Sequence, residues 1–389
     1  MSANKWPQVT LRDILAEPIR NGYSPVESQE WTGVQMLGLG CLTPQGFKPR
    51  QLKNAPASVS LTHSAVLRDG DLLISRANTR ELVGLVGTYK DVGAVCIYPD
   101  LMMRLRLAES YLPEFLEVML RDSSVRRRLM AMAQGTSESM VKISGAMLGG
   151  LQLPKIPLSV QCRIMAVLNG LHDSEQAIES SIRKLGKIEE GIVDAELGSG
   201  ALHPGATVGD LGTVVTGMTP PSSWEAVRQD DGLPMLTPSQ VPGSSGRVAA
   251  AERYISRSRR KQLRVVAPGA TVAVCIGFGA GKVAFSESEC CTNQQINSLI
   301  PHPEIDRRFA YLAVRRAMSQ AKARLNLQVT PIINKTDFSR LPVIVPPVGE
   351  QRRIADLAWA VRERQNQLRN EAAKLANLRQ GLTADLLSA

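Results

Sequence analysis

Aromatic residues are scarce in this chain of 389 residues, at 4%. That argues against a single-strand nucleic-acid binder built on stacking platforms. No apolar run reaches the ~18 residues that a membrane-crossing helix needs, and the first residues show no signal-peptide pattern, so a cytoplasmic protein is expected. The six cysteines (Cys41, Cys96, Cys162, Cys275, Cys290 and Cys291) form no CxxC pair and have no histidine at zinc-like spacing. They read as reduced and mostly structural. The four histidines (His63, His172, His203 and His302) are scattered, and none has a second ligand at metal spacing, so no metal site is expected. A convincing active site is lacking too. No carboxylate pair is followed by the Glu-x-Lys of a nuclease. Thr219-Pro220-Pro221-Ser222 is the nearest string to the Asn-Pro-Pro-Tyr motif of amino-methyltransferases, and it lacks the essential residues.

One string does suggest chemistry. Gly277-Phe278-Gly279-Ala280-Gly281-Lys282 is similar to a phosphate-cradling loop, or to the glycine loop of enzymes that bind S-adenosylmethionine. The Walker pattern fails at Ile276, where it needs glycine, and at Val283, where it needs Ser or Thr. The dinucleotide fingerprint fails at Lys282. A tight loop that lets backbone approach a partner is the better reading.

What the chain has in excess is positive charge. Lys and Arg number 46 against 36 Asp and Glu, a net charge of +10. Such a surplus fits a polyanionic partner, and nucleic acid is favoured over membrane because no basic amphipathic anchor is visible. With 43% hydrophobic and 21% charged residues the composition is that of a globular protein, and the length calls for two or three domains.

The chain also has a long apolar period, twice. Ile354, Val361, Leu368, Leu375 and Leu382 are each seven residues apart, and subtracting 190 from each gives Ile164, Leu171, Ile178, Leu185 and Ile192. Five heptads of this kind predict a coiled-coil helix of roughly 50 Å in each copy. The second seam position is irregular. Val167, Ile188, Ala195, Leu357 and Leu378 fit it, whereas Leu168, Ile182, Ala358 and Ala372, one residue later, suggest drift toward a 3.6 period.

The segments before the two helices also match in order. Thr10-Leu11-Arg12-Asp13, Gly22 to Pro25, Gly33 and Met36-Leu37 correspond to Thr207-Val208-Gly209-Asp210, Gly217 to Pro220, Gly232 and Met235-Leu236, at shifts of 195 to 199. Each copy then has a turn signal followed by a buried-strand run (Asp69–Ser75; Ala267–Val274), a loop (Arg76–Arg80; Gly277–Gly281) and a second strand (Leu82–Tyr89; Lys282–Phe285). A basic helix (Pro113–Met132; Ile305–Leu327) and a Pro-spaced strand (Leu151–Pro157; Leu341–Pro347) complete each copy. The expected class is α+β, with two similar α/β domains separated by two long antiparallel coiled-coil helices, an internal duplication with a pseudo-twofold axis. The boundaries are residues 1–158, 159–199, 200–348 and 349–389.

This layout resembles the specificity subunit of Type I restriction-modification systems. The resemblance is carried by Val348 to Ile354 after the Leu341–Pro347 stretch, by Lys374 to Leu382, and by the central copy from Leu153-Pro154 through Gln161-Cys162-Arg163-Ile164 to Gly191-Ile192. The central copy departs at Val160, where the second has Glu350. The resemblance implies two target recognition domains that bind double-stranded DNA, with helices that dock two methyltransferase subunits and, in complexes that cleave, motor-nuclease subunits. It implies no catalysis and no cofactor in this chain. S-adenosylmethionine belongs to the methyltransferase partner, and ATP and Mg to the restriction partner.

Base reading needs side chains with fixed donors and acceptors. The candidates in the first domain are Arg76, Asn78, Thr79, Arg80, Ser139 and Lys142. Those in the second are Lys282, Asn293, Gln294, Gln295, Asn326, Gln328 and Lys335. The two sets differ, so a bipartite, asymmetric site is expected. Two other readings stand beside this one: a DNA-modifying enzyme using the Gly277–Gly281 loop, and a duplicated scaffold that binds protein alone.

Overall fold

The computed structural model describes residues 6–137, 140–198, 205–242, 248, 250–324 and 332–388. It divides into one compact unit of Met1–Gln176 with Ala373–Ala389 and another of Ala177–Ala372. The class is α+β, with two sheet-rich parts and two long helices.

In the first unit, the strand Gln8–Thr10 pairs antiparallel with Gln152–Pro154, the stretch leading into the first long helix. A four-stranded sheet runs in the order Arg20–Asn21, Met102–Leu105, Leu72–Ser75, Val86–Thr88. All four residues of Leu72–Ser75 are buried, which is why the sequence shows a continuous run there rather than alternation. Leu72 and Ile74 pack with Phe115, Leu116, Met119 and Leu120 of helix α1 (Pro113–Arg121). Leu73 and Met102 join Val34, Met36, Ile97 and Tyr98 in a second core.

The single basic helix expected over Pro113–Met132 is two. Asp122 leaves the helical region (ψ 143°), and its carboxylate accepts the backbone N–H of Ser124 and Val125, which starts helix α2 (Ser123–Met132). The strand expected over Leu82–Tyr89 shrinks to Val86–Thr88, because a turn through Gly84 (φ +70°) precedes it. A short helix α3 (Gly145–Gly149) and the Gln152–Pro154 strand lead to α4 (Leu158–Gly198).

The second unit repeats the scheme. One four-stranded sheet runs Gly212–Thr216, Ile296–Pro301, Thr271–Val274, Val283–Phe285, and another Arg253–Ser256, Gly232–Leu236, Cys290–Thr292, Val265–Val266. Helix α5 (Arg307–Arg324) buries Phe309, Leu312 and Val314 against Val214, Ala273, Val283 and Leu299. Helix α6 (Lys335–Ser339) follows. The strand expected over Leu341–Pro347 is one bridge, Pro342 to Thr207, flanked by Val208 N–H to Leu341 O and Val343 N–H to Ala206 O, each 2.9 Å. Pro342, Pro346 and Pro347 lack the donors that a longer ladder needs. Helix α7 (Val348–Ser388) completes the chain; α4 and α7 are each 41 residues long.

Within the second unit, α4 and α7 run antiparallel. Glu196 pairs with Arg353 at 2.5 Å, Glu189 with Arg362 at 2.6 Å, and Gln365 Nε2 donates to Ile182 O at 3.3 Å. Within the first unit, Arg379 donates to Glu175 at 3.2 Å. Among the ten heptad residues, Ile164, Ile354 and Leu368 are buried, and Leu171, Ile178, Leu185, Ile192, Val361, Leu375 and Leu382 are half-buried. At the second seam position the drifting residues, rather than the strict heptad ones, face inward. Val167, Ile188, Leu357 and Leu378 are 54%, 51%, 44% and 51% exposed, and Ala195 is exposed. Leu168 and Ala358 are buried instead, with Ile182 and Ala372 half-buried. The contact stripe follows the 3.6 period of a straight helix, which drifts by ~20° per heptad from the strict repeat.

Candidate nucleic-acid interface

In the first unit the loop after Leu72–Ser75 is not a free loop. Ala77–Asn78 forms the edge of a three-stranded ribbon with Met140–Lys142 and Gln134–Ser137. Asn78 lies opposite Val141, Lys142 opposite Ala77, and Ile143 N–H donates to Arg76 O at 2.9 Å. Val141 and Ala77 are fully buried, which fixes the register, while Lys142 and Thr79 are exposed and Arg76, Asn78 and Arg80 half-buried. The ribbon therefore brings Arg76, Asn78, Thr79, Arg80 and Lys142 together from two distant parts of the sequence. Gly135 permits it: a Cβ there would sit 2.7 Å from Met140 O. Arg76 Nη1 donates to Asp100 O at 3.3 Å, and Asn78 Oδ1 accepts Thr79 N–H at 2.9 Å. Ser139 lies outside the described residues.

In the second unit the same place is taken by Cys275–Gly281. Cys275 N–H donates to Gln295 O, and Ile333 N–H to Cys275 O, both at 2.8 Å, while Ile276 bridges Ile332. Lys335, exposed at the start of α6, is two residues beyond Ile333. Asn293 and Gln295 hold each other by Nδ2 to Oε1 (2.9 Å) and by Gln295 N–H to Asn293 Oδ1 (3.1 Å). Thr219 Oγ1 donates to Gln294 Oε1. A Cβ on Gly217 would fall 2.2 Å from Asn293 O, so the Gly217–Thr219 loop passes directly over this corner. Asn293, Gln294 and Gln295 thus share one corner, and Lys282 lies across the end of the Thr271–Val274 strand from them. Asn326 and Gln328 lie outside the described residues.

The glycines of the tempting loop have a backbone explanation. Gly277 (φ +92°) and Gly281 (φ +94°) occupy the left-handed region. The turn closes by Ala280 N–H to Gly277 O (2.9 Å) and Gly281 N–H to Val274 O (3.0 Å).

The arginines of the two basic helices are largely engaged inside the protein. Arg126 donates to Val83 O and, at 2.6 Å, to Glu81 O, and its burial lowers its pKa. Arg121 donates to Pro44 O at 3.0 Å and Arg307 to Pro268 O at 3.3 Å. Arg308 pairs with Asp356 (2.6 Å), Arg315 with Glu189 (2.5 Å) and Arg316 with Asp194 (2.9 Å). These side chains tie α5 to the long helices. Arg127 and Arg128 are exposed.

A basic stretch not among the candidates is better placed. Arg257, Arg259, Arg260, Lys261 and Arg264 are five cations in eight residues. Arg264 Nη1 donates to Thr216 O at 3.0 Å, beside the Gly217–Thr219 loop. Arg259 stacks over Trp224, 4.5 Å from the ring centroid. Glu289 offsets Arg260 (2.6 Å) and Arg257 (3.8 Å), whereas Lys261 and Arg264 are exposed. The charge run was visible in the sequence; its position beside the loops was not.

The five buried cysteines serve the cores. Burial raises the Cys96 and Cys291 thiols to about 12, and those of Cys275 and Cys290 to about 11; Cys162 is exposed on α4. Among the described residues no group of His, Cys, Asp and Glu could hold a metal ion, and no helix is long and apolar enough to cross a membrane.

Residues 206–374 match the Type I restriction modification DNA specificity domain, and 46% of the chain is 27% identical to the EcoKI specificity subunit of Escherichia coli K12. Over this part the chain is similar to type I restriction-modification specificity subunits. The matched part spans 38% of the length of the E. coli relative. Across 96% of this chain and 92% of the relative, it is 20% identical to a Methanocaldococcus jannaschii protein assigned as the type I restriction enzyme MjaX specificity subunit. The fold is similar to a chain from a solved type I restriction-modification system (TM-score 0.61, 17% identity, covering 97% of this chain and 96% of that one). It is also similar to the S subunit from M. genitalium (TM-score 0.56, 14% identity, covering 100% and 97%). At these identities the structural likeness concerns the fold.

Proposed function

We propose that this chain is the non-catalytic DNA-reading subunit of a type I restriction-modification complex. Its two domains read the halves of a bipartite, asymmetric site in double-stranded DNA. Two methyltransferase subunits, which hold S-adenosylmethionine, methylate adenine there, and motor-nuclease subunits using ATP and Mg cleave unmodified DNA. The observation that carries this reading is the ribbon edge in the first unit and its counterpart in the second. Each gathers Arg, Lys, Asn, Gln or Thr side chains from separate stretches onto one rigid rim, and the two sets differ. Such side chains hydrogen-bond base edges, while Lys and Arg neutralise phosphates. The exposed apolar residues Val167, Ile188, Leu357 and Leu378 support docking of partner subunits on the helices.

The test is DNA affinity of the purified complex with its modification subunits across a salt series. Phosphate contacts predict a steep linear fall of log K with log salt, with a slope of about −0.9 per neutralised phosphate. A complex with no salt-dependent affinity would leave the chain a protein scaffold.

A further inference from the structure

Phe278 is the one exposed side chain among six phenylalanines. Phe115, Phe309 and Phe338 are fully buried, Phe47 and Phe285 half-buried, and Phe278 is 95% exposed. It sits at the tip of the Gly277–Gly281 turn, and that turn is built to hold it out. Ala280, two residues later, is 2% exposed and anchors the turn on the domain. Val274 N–H donates to Lys282 O at 2.9 Å, and Lys282 N–H to Gly279 O at 3.2 Å, which locks the base of the turn to the Thr271–Val274 strand. Gly277 and Gly279 on either side leave the ring without neighbours. A Cβ placed on Gly277 would lie 3.6 Å from Gln295 Nε2, and one on Gly279 would lie 3.5 Å from Val274 Cγ1, 3.7 Å from Pro238 Cβ and 3.9 Å from Lys282 Cδ. The turn that carries the ring is therefore bordered by the Gln295 amide on one side and by Val274, Pro238 and the Lys282 stem on the other.

We infer that Phe278 reads the 5-methyl group of a thymine in the major groove. This rests on the function proposed above and names the contact by which the second domain does part of its reading. An exposed apolar ring on a turn that also borders the Gln295 amide and Lys282 takes a partner that offers apolar and hydrogen-bonding contacts side by side. It suits a polyanion that presents a small apolar group beside hydrogen-bonding edges. The thymine methyl is that group, and glutamine and asparagine amides pair with the N6 and N7 edge of adenine. Phe278, Gln294, Gln295, Asn293 and Lys282 together match an A·T-containing half-site next to phosphate. The counterpart loop in the first domain, Arg76–Arg80, has no aromatic residue, so the contact belongs to one half-site only.

The experiment uses the complex with its modification subunits and duplexes carrying the motif it methylates in cells. Each thymine is replaced in turn by deoxyuridine, which removes only the methyl group, and Kd is measured by fluorescence anisotropy. The wild-type complex should lose about 4-fold at one thymine of one half-site. Phe278→Ala should bind about 10-fold or more weakly and show no penalty at that thymine, with Phe278→Leu between the two. Wild-type affinity in Phe278→Ala, or an unchanged deoxyuridine penalty, would overturn the inference. So would a weakened variant with no thymine-specific effect, which would point to a wedge between bases. A wild-type complex that binds no duplex would instead overturn the DNA-reading function itself, and this inference with it.

Discussion

Arg362 on α7 donates through Nε to Glu189 on α4 across 2.6 Å, and both side chains are buried. Arg362 also donates to Tyr311 on α5 at 2.5 Å and stacks on its ring at 4.4 Å, while Arg315 reaches the same Glu189 oxygen. One carboxylate thus joins three helices of the second unit. Glu189→Ala leaves two guanidinium groups without their partner, one of them buried, and should cost about 3–5 kcal/mol in chemical denaturation. Replacing Glu189 with Leu and Arg362 with Met together should recover most of that loss, because a buried pair exchanged for apolar groups of similar volume is close to neutral.

Gln161 and Gln351 do the same work in their own units. Gln161 accepts Leu112 N–H (2.9 Å) and donates to Ile156 O and Ser110 O, and Gln351 accepts Asp306 N–H (2.9 Å) and donates to Pro346 O. Each joins the entry of a long helix to its domain. Gln161→Leu and Gln351→Leu should each cost about 1–3 kcal/mol per polar group left buried and unpaired, read as a lower thermal midpoint.

The twin caps predict an acid response. Thr10 lowers the Asp13 pKa, mainly by its side-chain hydrogen bond, and Thr207 lowers that of Asp210, mainly through its backbone N–H. Folded values below the ordinary carboxylate range mean stabilisation that is present above that range and lost as pH falls through the depressed values. The double variant Asp13→Asn and Asp210→Asn should therefore show a shallower loss of thermal midpoint between about pH 6 and about pH 3. An unchanged slope would contradict the assignment.

Thiol accessibility gives a further check. In the native protein at about pH 8 iodoacetamide should modify Cys162 alone, because the other five thiols are buried and out of the reagent's reach. Peptide mapping after denaturation should find all six cysteines modified.

The exposed apolar side chains on the helices carry the assembly claim. Leu357→Asp and Leu378→Asp should abolish co-purification of a modification subunit and leave the thermal midpoint of the free chain nearly unchanged. Retained assembly would place docking elsewhere.

Much of this was legible in the sequence. The heptad positions, the Thr10–Asp13 and Thr207–Asp210 pairs and the paired glutamines repeat with fixed offsets, and local periodicity reports local structure. At the second seam the sequence offered a strict seven-residue count beside a drift toward a 3.6 period, and the burial of Leu168 and Ala358 records the drift. The ribbon that joins Asn78 to Val141 was not legible, since pairing between distant strands depends on the tertiary fold. The engagement of the helix arginines was not legible either, because sequence does not reveal partners such as Glu189 or the carbonyl of Val83.

The most direct measurement is the pattern of N6-methyladenine in the DNA of cells that co-express the chain with its modification subunit, read by single-molecule sequencing. The account predicts one split, asymmetric motif, and exchange of residues 1–158 for those of a type I specificity subunit should change one half and leave the other intact. A stable complex that adds no methylated motif would contradict it.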